Sequence, residues 1–369
     1  MTVALVAASC SSPARGGASS GALAQFKKQT TARLEKITAQ LKGLDPKARR
    51  EKLIQLAQAE GGVVNLYGVT NFDEMGPVID AFETDTGLRV NFFRANSTDI
   101  LQRLDQEARA GFRGADAINE NGPEMTILDR EGLLAPIKTP VSKQITPGGD
   151  QGDWIWSFID TFTPAWNVNK VLPSQAPKTW EDVLTKFKGR LAMEAGDVDW
   201  FATLVKGYFM AQKHMTEQQA IDLFKRAATG ARFVDGHTLM TDLLASGEFD
   251  VAASPYLERV GALQKEGAPI AWEPAVVPLV ARPEGIAVHA AAEHPAAGLL
   301  FLEYYLTNAQ KIGLGQGRQP ASTAVPGGGL PTQYKYITVD VNAVVNEFDK
   351  WSSIYDKLVR LSGHKVVSD

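Results

Sequence analysis

A repeated alternation of short apolar stretches with segments of helical periodicity most restricts how this 369-residue chain can fold. Residues 63–67 form an apolar stretch typical of a buried strand, and Met75, Val78, Ile79 and Phe82 then recur at the spacing of one helix face. Two similar units follow, with strands predicted at 88–93 and 115–118. Strands that alternate with helices predict a parallel, doubly wound α/β sheet.

The alternation returns after a break at 140–152, which predicts a second lobe of the same kind. A chain of this length exceeds the roughly 250–300 residues at which one hydrophobic core stops growing. The extended, proline-containing segments 160–166 and 272–280 predict a two-strand hinge between the lobes. The predicted divisions are a tether at 1–21, helices at 22–60, a first lobe at 61–160 and 275–325, a second lobe at 161–274, and a helical segment at 326–369.

Composition excludes several classes of protein. Lys and Arg number 38 and Asp and Glu number 42, so a formal net charge of −4 offers no general attraction for a nucleic-acid backbone. The single cysteine, Cys10, excludes an intramolecular disulfide and a multi-cysteine zinc site. No stretch of about 18 uncharged apolar residues is present, so no membrane-spanning helix is expected.

The first residues resemble the end of a bacterial lipoprotein signal peptide. A short apolar run and small residues precede Cys10, and a Ser/Gly/Ala-rich stretch follows it through Gly21. The resemblance implies that Cys10 is lipidated, becomes the mature N-terminus and tethers the protein to a membrane face. The alternative interpretation is a disordered N-terminus with an incidental cysteine.

Helices are predicted at both ends of the chain. Two lie within 22–60, where residues 27–52 carry nine basic and three acidic side chains. This basic segment is expected either to contact anionic headgroups beside a lipid anchor or to be the solvated face of helices packed on the main body. One amphipathic helix is predicted near the C-terminus from Val344, Val345, Phe348, Trp351, Ile354, Tyr355 and Leu358.

Eight short segments occur in a recognisable order between about residue 60 and residue 361. They are AEGGVVNLY at 59–67, AFETDTGLRV at 81–90, REGLLAP at 130–136, WNVN at 166–169, PKTWED at 177–182, ASGE at 245–248, HPAA at 294–297 and LTNAQ at 306–310. In these segments the chain resembles the bacterial extracellular solute-binding proteins of ABC importers, specifically the ferric-iron, thiamine and phosphonate group. The resemblance implies two lobes that close on a small-molecule ligand and deliver it to a membrane permease. It also implies an extracytoplasmic, monomeric binding protein with no enzymatic activity and no cofactor.

Ligands of open α/β sheets bind beyond the carboxyl ends of the strands, so the loops there supply the candidate site. Most of these residues carry hydroxyl or amide groups at helix starts, where backbone N–H groups favour an anion. Thr70 and Thr98 are equally open to interpretation as helix caps, Thr70 in a capping box with Asp73. The candidates are Thr70, Asn71, Ser97, Thr98, Asn119 and Asn121 in the first lobe, and Trp200, His237, Thr238 and Tyr256 in the second.

The loops favour a small oxyanion or an organic phosphate or phosphonate over iron. Ferric members of the resembled group use two adjacent tyrosines, whereas Pro255 precedes Tyr256 here, and one tyrosine with neutral groups is a poor cage for a trivalent cation. The pair Tyr304 and Tyr305 lies in an apolar helical run and is expected to pack in the core. His237, in a Gly-flanked loop before a helix, is a candidate oxyanion donor, whereas His214, His289, His294 and His364 show no metal-ligand spacing.

Three alternatives remain at this point. A ferric-binding role within the same family is one, and a ligand-sensing partner of a membrane receptor is another, because both use the same closing lobes. An enzyme is the third. The chain contains no nucleophile elbow, P-loop, dinucleotide-binding glycine motif or His-Glu zinc motif that would support it.

Overall fold

Residues 20–368 are described by a computed structural model, in which two α/β lobes are built on two separate sheets. Cys10 and nearly all of the predicted tether lie outside the described residues. In chain order the elements up to the first crossing are α1 Ser20–Leu41, α2 Pro46–Ala59, β1 Val63–Gly68, α3 Phe72–Thr86, β2 Arg89–Arg94, α4 Ser97–Ala110, β3 Ala117–Asn121, α5 Gly122–Arg130 and β4 Trp154–Phe162.

The remaining elements complete the second lobe and return to the first. They are β5 Ala165–Asn167, α6 Trp180–Lys186, β6 Leu191–Glu194, α7 Val198–Thr203, α8 Glu217–Ala228, β7 Arg232–Val234, α9 His237–Ser246, β8 Val251–Ala252, α10 Leu257–Lys265, β9 Ile270–Ala271, β10 Leu279–Val288, α11 Pro295–Tyr305, α12 Asn308–Gly315, β11 Tyr336–Thr338, α13 Val341–Asn346 and α14 Phe348–Leu361. A π-helical segment, Leu204–Met210, continues α7 directly. Single 3₁₀ turns lie at Pro140–Gln144 and Pro173–Gln175.

The first sheet has the strand order β11-β10-β3-β1-β2, and a sixth strand, β4, also pairs with β10. β1 pairs in parallel with β2 and β3, whereas β10 runs antiparallel to β3 and β4. The second sheet has the order β7-β6-β8-β5-β9, with β6 parallel to β7 and β8. The predicted fold class, two doubly wound α/β lobes joined by a two-strand hinge, is confirmed.

The chain crosses from the first sheet to the second and back between β4 and β10, and it crosses to the second lobe again after β11. It leaves the first sheet after β4, reaches β5 within three residues, and returns between β9 and β10. Both β4 and β10 are long and almost entirely buried, and they pair with each other over most of their length. A charged side chain on either strand is therefore held at the junction of the two lobes.

The N-terminal helices pack on the first lobe. α2 contacts α11, and Arg49 forms a buried ion pair with Glu303 at 2.6 Å. Arg33 of α1 binds Glu60 at 2.8 Å. Tyr304 and Tyr305 lie on α11 and are buried, as the sequence predicts. None of the described helices is long and apolar enough to cross a membrane.

The C-terminal segment forms two helices, α13 and α14, rather than the single helix predicted. The helical geometry breaks at Glu347, whose φ and ψ are −116° and 20°. α14 packs against α7 and α8 of the second lobe, where Trp351 and Tyr355 contact the ring of Phe201.

Two predicted helix caps are corrected by the structure. The N-cap of α3 is Asn71, and the hydroxyl of Thr70 instead donates to Asn119 at 2.6 Å. The N-cap of α4 is Asn96, which accepts from the backbone N–H of Asp99, so Thr98 caps nothing. The difference arises because both helices begin one or more residues away from the predicted cap.

Candidate functional site

A cleft of about 690 Å³ lies between the two lobes, and we call it the interlobe cleft. Its volume falls in the range of small-molecule sites. Its walls are mostly polar and come from the loops that follow strands of both sheets. It is lined by Val69, Thr70, Asn71, Phe72, Asp73, Glu74, Arg94, Asn121, Asp160 and Glu284, by Thr238, Leu239, Asp242, Tyr256, Glu258, Arg259 and Ala262 of the second lobe, and by Gln316 and Arg318.

Four helices begin at the interlobe cleft: α3 after Asn71, α5 after Asn121, α9 just before Thr238, and α10 after Tyr256. None of their four N-cap residues forms a side-chain capping bond to its own helix. In α6 and α8, which begin elsewhere, a threonine caps the helix through its hydroxyl. In α5 and α10 the carboxyl groups of Glu124 and Glu258 accept from their own backbone N–H groups, so capacity for an external acceptor lies mainly at α3 and α9.

The two lobes touch across the cleft. Asn71 of the first lobe donates through Nδ2 to Thr238 Oγ1 of the second lobe at 3.3 Å. Arg94 in turn donates to the Oδ1 atom of Asn71 at 2.8 Å. This polar contact closes one side of the interlobe cleft in the described conformation.

Arg282, on β10, joins the lobes at the base of the cleft and is buried. Its guanidinium lies 3.1 Å from Asp160 on β4 and 3.6 Å from Asp199 of the second lobe. It also donates a short hydrogen bond to the hydroxyl of Tyr256. Burial opposes its charge, yet the surrounding Tyr256, Asp199 and Asp160 raise the pKa of Arg282 well above its ordinary value.

A second buried arginine, Arg318, organises the first-lobe wall. It binds Glu284 at 2.6 Å and donates to the hydroxyl of Tyr305 at 3.3 Å. Glu284 also accepts from Asn119 at 2.9 Å and from Thr70 at 3.2 Å. This network holds the loops after β1 and β3 together.

Tyr256 separates the cleft from a buried polar group beneath it. The ring of His237 lies 4.0 Å from the Tyr256 ring, and Phe162 flanks both. His237 Nε2 lies 3.2 Å from Asp197. Burial lowers the pKa of His237, but Asp197 and Glu194 more than offset this and raise it to about 9.

Buried carboxyl groups surround this junction. Burial, assisted by the charge of Glu124, raises the pKa of Glu120 to about 8. Burial and Asp199 raise the pKa of Glu124 to about 7. Glu120 accepts from Ser97 at 2.8 Å and from the backbone of Asn121 at 2.9 Å. Carboxyl groups with raised pKa values are costly to ionise in the folded state.

We expect Glu120→Gln to stabilise the protein at pH 8.5 and to have little effect at pH 5. The raised pKa of Glu120 means that the stability it contributes is present below about 4.5 and is lost as pH rises toward about 8. A neutral amide does not undergo this loss, so the variant gains at least about 1.4 kcal/mol at the higher pH, the equivalent of one pKa unit. Urea unfolding at both pH values measures it. Equal changes in unfolding free energy at pH 5 and pH 8.5 would show that the pKa of Glu120 is not raised. The control is Glu51→Gln, which alters an exposed glutamate.

The structure brings five of the ten predicted ligand residues to the interlobe cleft: Thr70, Asn71, Asn121, Thr238 and Tyr256. The other five lie off its lining. Asn119 is fully buried in the Arg318 network, and Trp200 is fully buried in the second-lobe core against Trp180 and Phe224. Ser97 binds Glu120, Thr98 is exposed on α4, and His237 lies beneath Tyr256.

The charged residues of the cleft are those that sequence reasoning missed. Arg282 and Glu284 sit within an otherwise apolar stretch, the predicted return to the first lobe, and a charge at such a position signals a buried partner. Arg318 follows the glycine-rich end of α12, where the sequence pattern does not indicate a buried charge. The residues that pair with Arg282 and Glu284 could not be predicted, because they depend on tertiary contacts between β4, β10 and the second lobe.

Comparison with known families now adds an independent observation. A model described as "Bacterial extracellular solute-binding protein" matches residues 78–332, well over half of the chain. The chain belongs to this family. A curated relative, the Fe(3+)-binding periplasmic protein of Serratia marcescens, is 28% identical over 152 residues, which is 40% of this chain and 44% of the relative. The match thus spans less than half the length of that relative.

Solved structures share the fold of this family member. Iron-bound HitA from Pseudomonas aeruginosa superimposes with a TM-score of 0.68 at 19% identity, covering 80% of this chain and 99% of HitA. AfuA from Actinobacillus pleuropneumoniae, a periplasmic binding protein with exogenous fructose-6-phosphate bound, gives a TM-score of 0.70 at 18% identity over 81% and 99% of the two chains. At these identities the likeness establishes the two-lobed fold and leaves the ligand open.

Proposed function

We propose that this protein is the solute-binding component of an ABC importer and captures a small organic phosphate or phosphonate that also carries hydroxyl or amino groups. The observation that carries the proposal is the set of four helix N-termini that converge on the interlobe cleft, where no N-cap residue forms a side-chain capping bond. Uncapped N–H groups and aligned helix dipoles bind anionic oxygens.

The arginines of the cleft support an anionic head group. Arg282 and Arg318 are each paired with buried carboxylates, so their charges are largely committed to the protein. Arg94 and Arg259 are more accessible and lie on opposite lobes; Arg94 donates to the neutral Asn71, and Arg259 forms a part-exposed ion pair with Asp242. A phosphate that reaches both arginines would be bound by charge-assisted hydrogen bonds from each side.

The carboxylates of the cleft restrict which chemical groups the ligand can carry besides its phosphate or phosphonate. Six acidic side chains and three arginines line the cleft, so the lining has an excess of negative charge. A purely anionic solute would be repelled by that excess. Hydroxyl or ammonium groups on the same molecule can donate to carboxylates such as Asp73 and Asp242, which favours a bifunctional solute over inorganic phosphate.

Ferric iron is the second candidate, supported by one observation. Tyr256, Asp160 and Glu258 interact electrostatically along one wall of the cleft and provide hard oxygen donors. Against it, burial raises the pKa of Tyr256 well above its ordinary value. This favours the neutral phenol over the phenolate that ferric iron needs. The published names of HitA and of the Serratia relative refer to iron binding by those proteins.

The capture mechanism follows from the fact that both lobes contribute residues to the walls of the interlobe cleft. Thr70, Asn71 and Asn121 belong to the first lobe, and Thr238 and Tyr256 to the second. A ligand that touches both sets gains contacts only when the lobes are closed, and this difference shifts the population to the closed form. The closed form would then dock on a membrane permease. Lipidation at Cys10 and a monomeric state belong to the same proposal.

The test is thermal unfolding of the purified protein with sugar phosphates, alkylphosphonates, thiamine and ferric citrate. We expect a sugar phosphate or a phosphonate to raise the unfolding temperature, since a solute bound only by the folded state stabilises it. Arg94→Ala and Arg259→Ala should each weaken the affinity by about tenfold, the loss of one charge-assisted hydrogen bond. Calorimetric titration at low salt gives the affinities.

The exposed Arg109→Ala on α4, outside the cleft, is the matched control and should bind like the parent protein. A temperature shift with ferric citrate alone, accompanied by visible tyrosinate-to-iron absorption, would replace the organophosphorus proposal with the iron candidate. Tight organophosphate binding that is insensitive to both Arg94→Ala and Arg259→Ala would place the anion outside the interlobe cleft.

A further inference from the structure

A second polar site lies in the second lobe beneath Tyr256. Glu194 ends β6, Asp197 precedes α7, and His237 begins α9. One donor atom from each of the three side chains lies within 4.8 Å of the others. The three residues come from two neighbouring strand-to-helix loops and are all largely buried.

The orientation of His237 suits a metal ligand. Its Nδ1 atom lies 2.9 Å from the backbone carbonyl oxygen of Ser254. A carbonyl only accepts, so Nδ1 carries hydrogen and Nε2 faces Asp197 at 3.2 Å. A histidine fixed by an Nδ1–H bond to a carbonyl and pointing Nε2 at acidic groups has the arrangement of a metal-ligating imidazole. The position between Nε2 and the carboxylates takes either a proton or a metal ion.

Asp197 is an incompletely partnered carboxylate within this group. Its side chain is 1% exposed, and His237 Nε2, 3.2 Å away, is the one polar partner found for its two oxygens among the described residues. Buried carboxylates are normally hydrogen-bonded or bound to a cation. Glu194, by contrast, accepts from the backbone N–H groups of Gly196 at 2.6 Å and Gly236 at 3.1 Å, which fix its position.

The charge of the surroundings points the same way. Glu194, Asp197 and Asp199 form one buried acidic group with Glu124, and Arg282 and His237 are the cations that act on it. Arg282 is already shared between Asp160 and Asp199. Asp197 and Glu194 therefore share His237 as their nearest basic group, and a divalent ion would add positive charge where these three side chains meet.

We propose that Glu194, Asp197 and His237 bind a divalent transition-metal ion. One imidazole nitrogen and two carboxylates suit Zn²⁺, Co²⁺ or Mn²⁺ rather than Ca²⁺, which prefers six or more oxygens. The ion lies one aromatic ring below the interlobe cleft and is separate from the transported solute. It joins the loop after β6 to the loop after β7 and so fixes the floor on which Tyr256 rests.

The experiment is a calorimetric titration of chelator-treated full-length protein with Zn²⁺ alone, repeated with Co²⁺ followed by visible absorption. No organic phosphate or iron is present, so the outcome is independent of the solute. We expect one equivalent to bind and the cobalt bands to appear. His237→Gln and Asp197→Asn should each weaken binding by at least about tenfold, the lower limit for removing even a second-shell partner.

The matched control is His294→Gln, which alters a histidine paired with Asp116 at 3.0 Å in the first lobe. This variant should bind zinc like the parent protein. Urea unfolding shows whether each variant folds. If Asp197→Asn does not fold, the zinc affinity of His237→Gln is the deciding measurement. Zinc binding that survives His237→Gln, or the absence of stoichiometric binding by the parent protein at micromolar concentration, would overturn the proposal.

Discussion

Replacing Arg282 by alanine is expected to destabilise the folded protein by about 3–5 kcal/mol, the cost of leaving buried partners of an ion pair uncompensated. The guanidinium is almost completely buried and is shared by Asp160, Asp199 and the hydroxyl of Tyr256. Without it, two carboxylates remain in a site that water does not solvate. Urea unfolding followed by tryptophan fluorescence measures the loss.

The matched control is Arg109→Ala, which removes an exposed ion pair with Asp105 on the surface of α4. An exposed pair contributes less than about 1 kcal/mol, so the two substitutions separate burial from charge alone. If Arg282→Ala cost no more than Arg109→Ala, the guanidinium would not be the structural link between the lobes. The Asp160→Asn, Arg282→Met pair of substitutions should recover part of the stability, because it removes both charges of the Arg282–Asp160 contact.

The architecture was accessible from sequence because it depends on local periodicity. Met75, Val78 and Phe82 are the buried face of α3, and Gly87 ends that helix with φ of 69°, as its position suggests. Such features require only the chain's own spacing. The break at Glu347 was not accessible in this way, since the apolar spacing continues through it while the backbone does not.

The residues of the site could be predicted from the sequence only in part, because side-chain roles depend on tertiary contacts. The topology rule places polar loops at the carboxyl ends of strands, and this located Asn71 and Tyr256 at the cleft. It does not distinguish a side chain that lines the cleft from one that supports it. Asn119 is fully buried because Glu284 and Thr70 bind it, and those contacts join residues more than 40 positions apart.

The buried histidine His289 is another residue whose environment sequence reasoning could not predict. His289 follows β10, is 1% exposed, and lies in the first lobe near Asp116. Burial lowers its pKa to about 4, opposed only partly by the backbone of Ala115 and the charge of Asp116. Between pH 6.5 and about 4 the unfolded chain therefore binds a proton at this position that the folded chain does not. Folding stability must fall as pH decreases through that window.

We expect the parent protein to lose about 2 kcal/mol more stability than His289→Met when the pH is lowered from 7 to 5, at 1.36 kcal/mol for each pH unit below 6.5. The packing cost of methionine does not depend on pH and cancels in this comparison. Carboxyl groups with raised pKa values, such as Glu120, act in the opposite direction but are shared by both proteins. Urea unfolding across the range measures the slopes, with exposed His364→Met as the control. Parallel slopes for the parent protein and His289→Met would mean that the imidazole is protonated inside the fold, which would require an acidic partner closer than any now placed beside it.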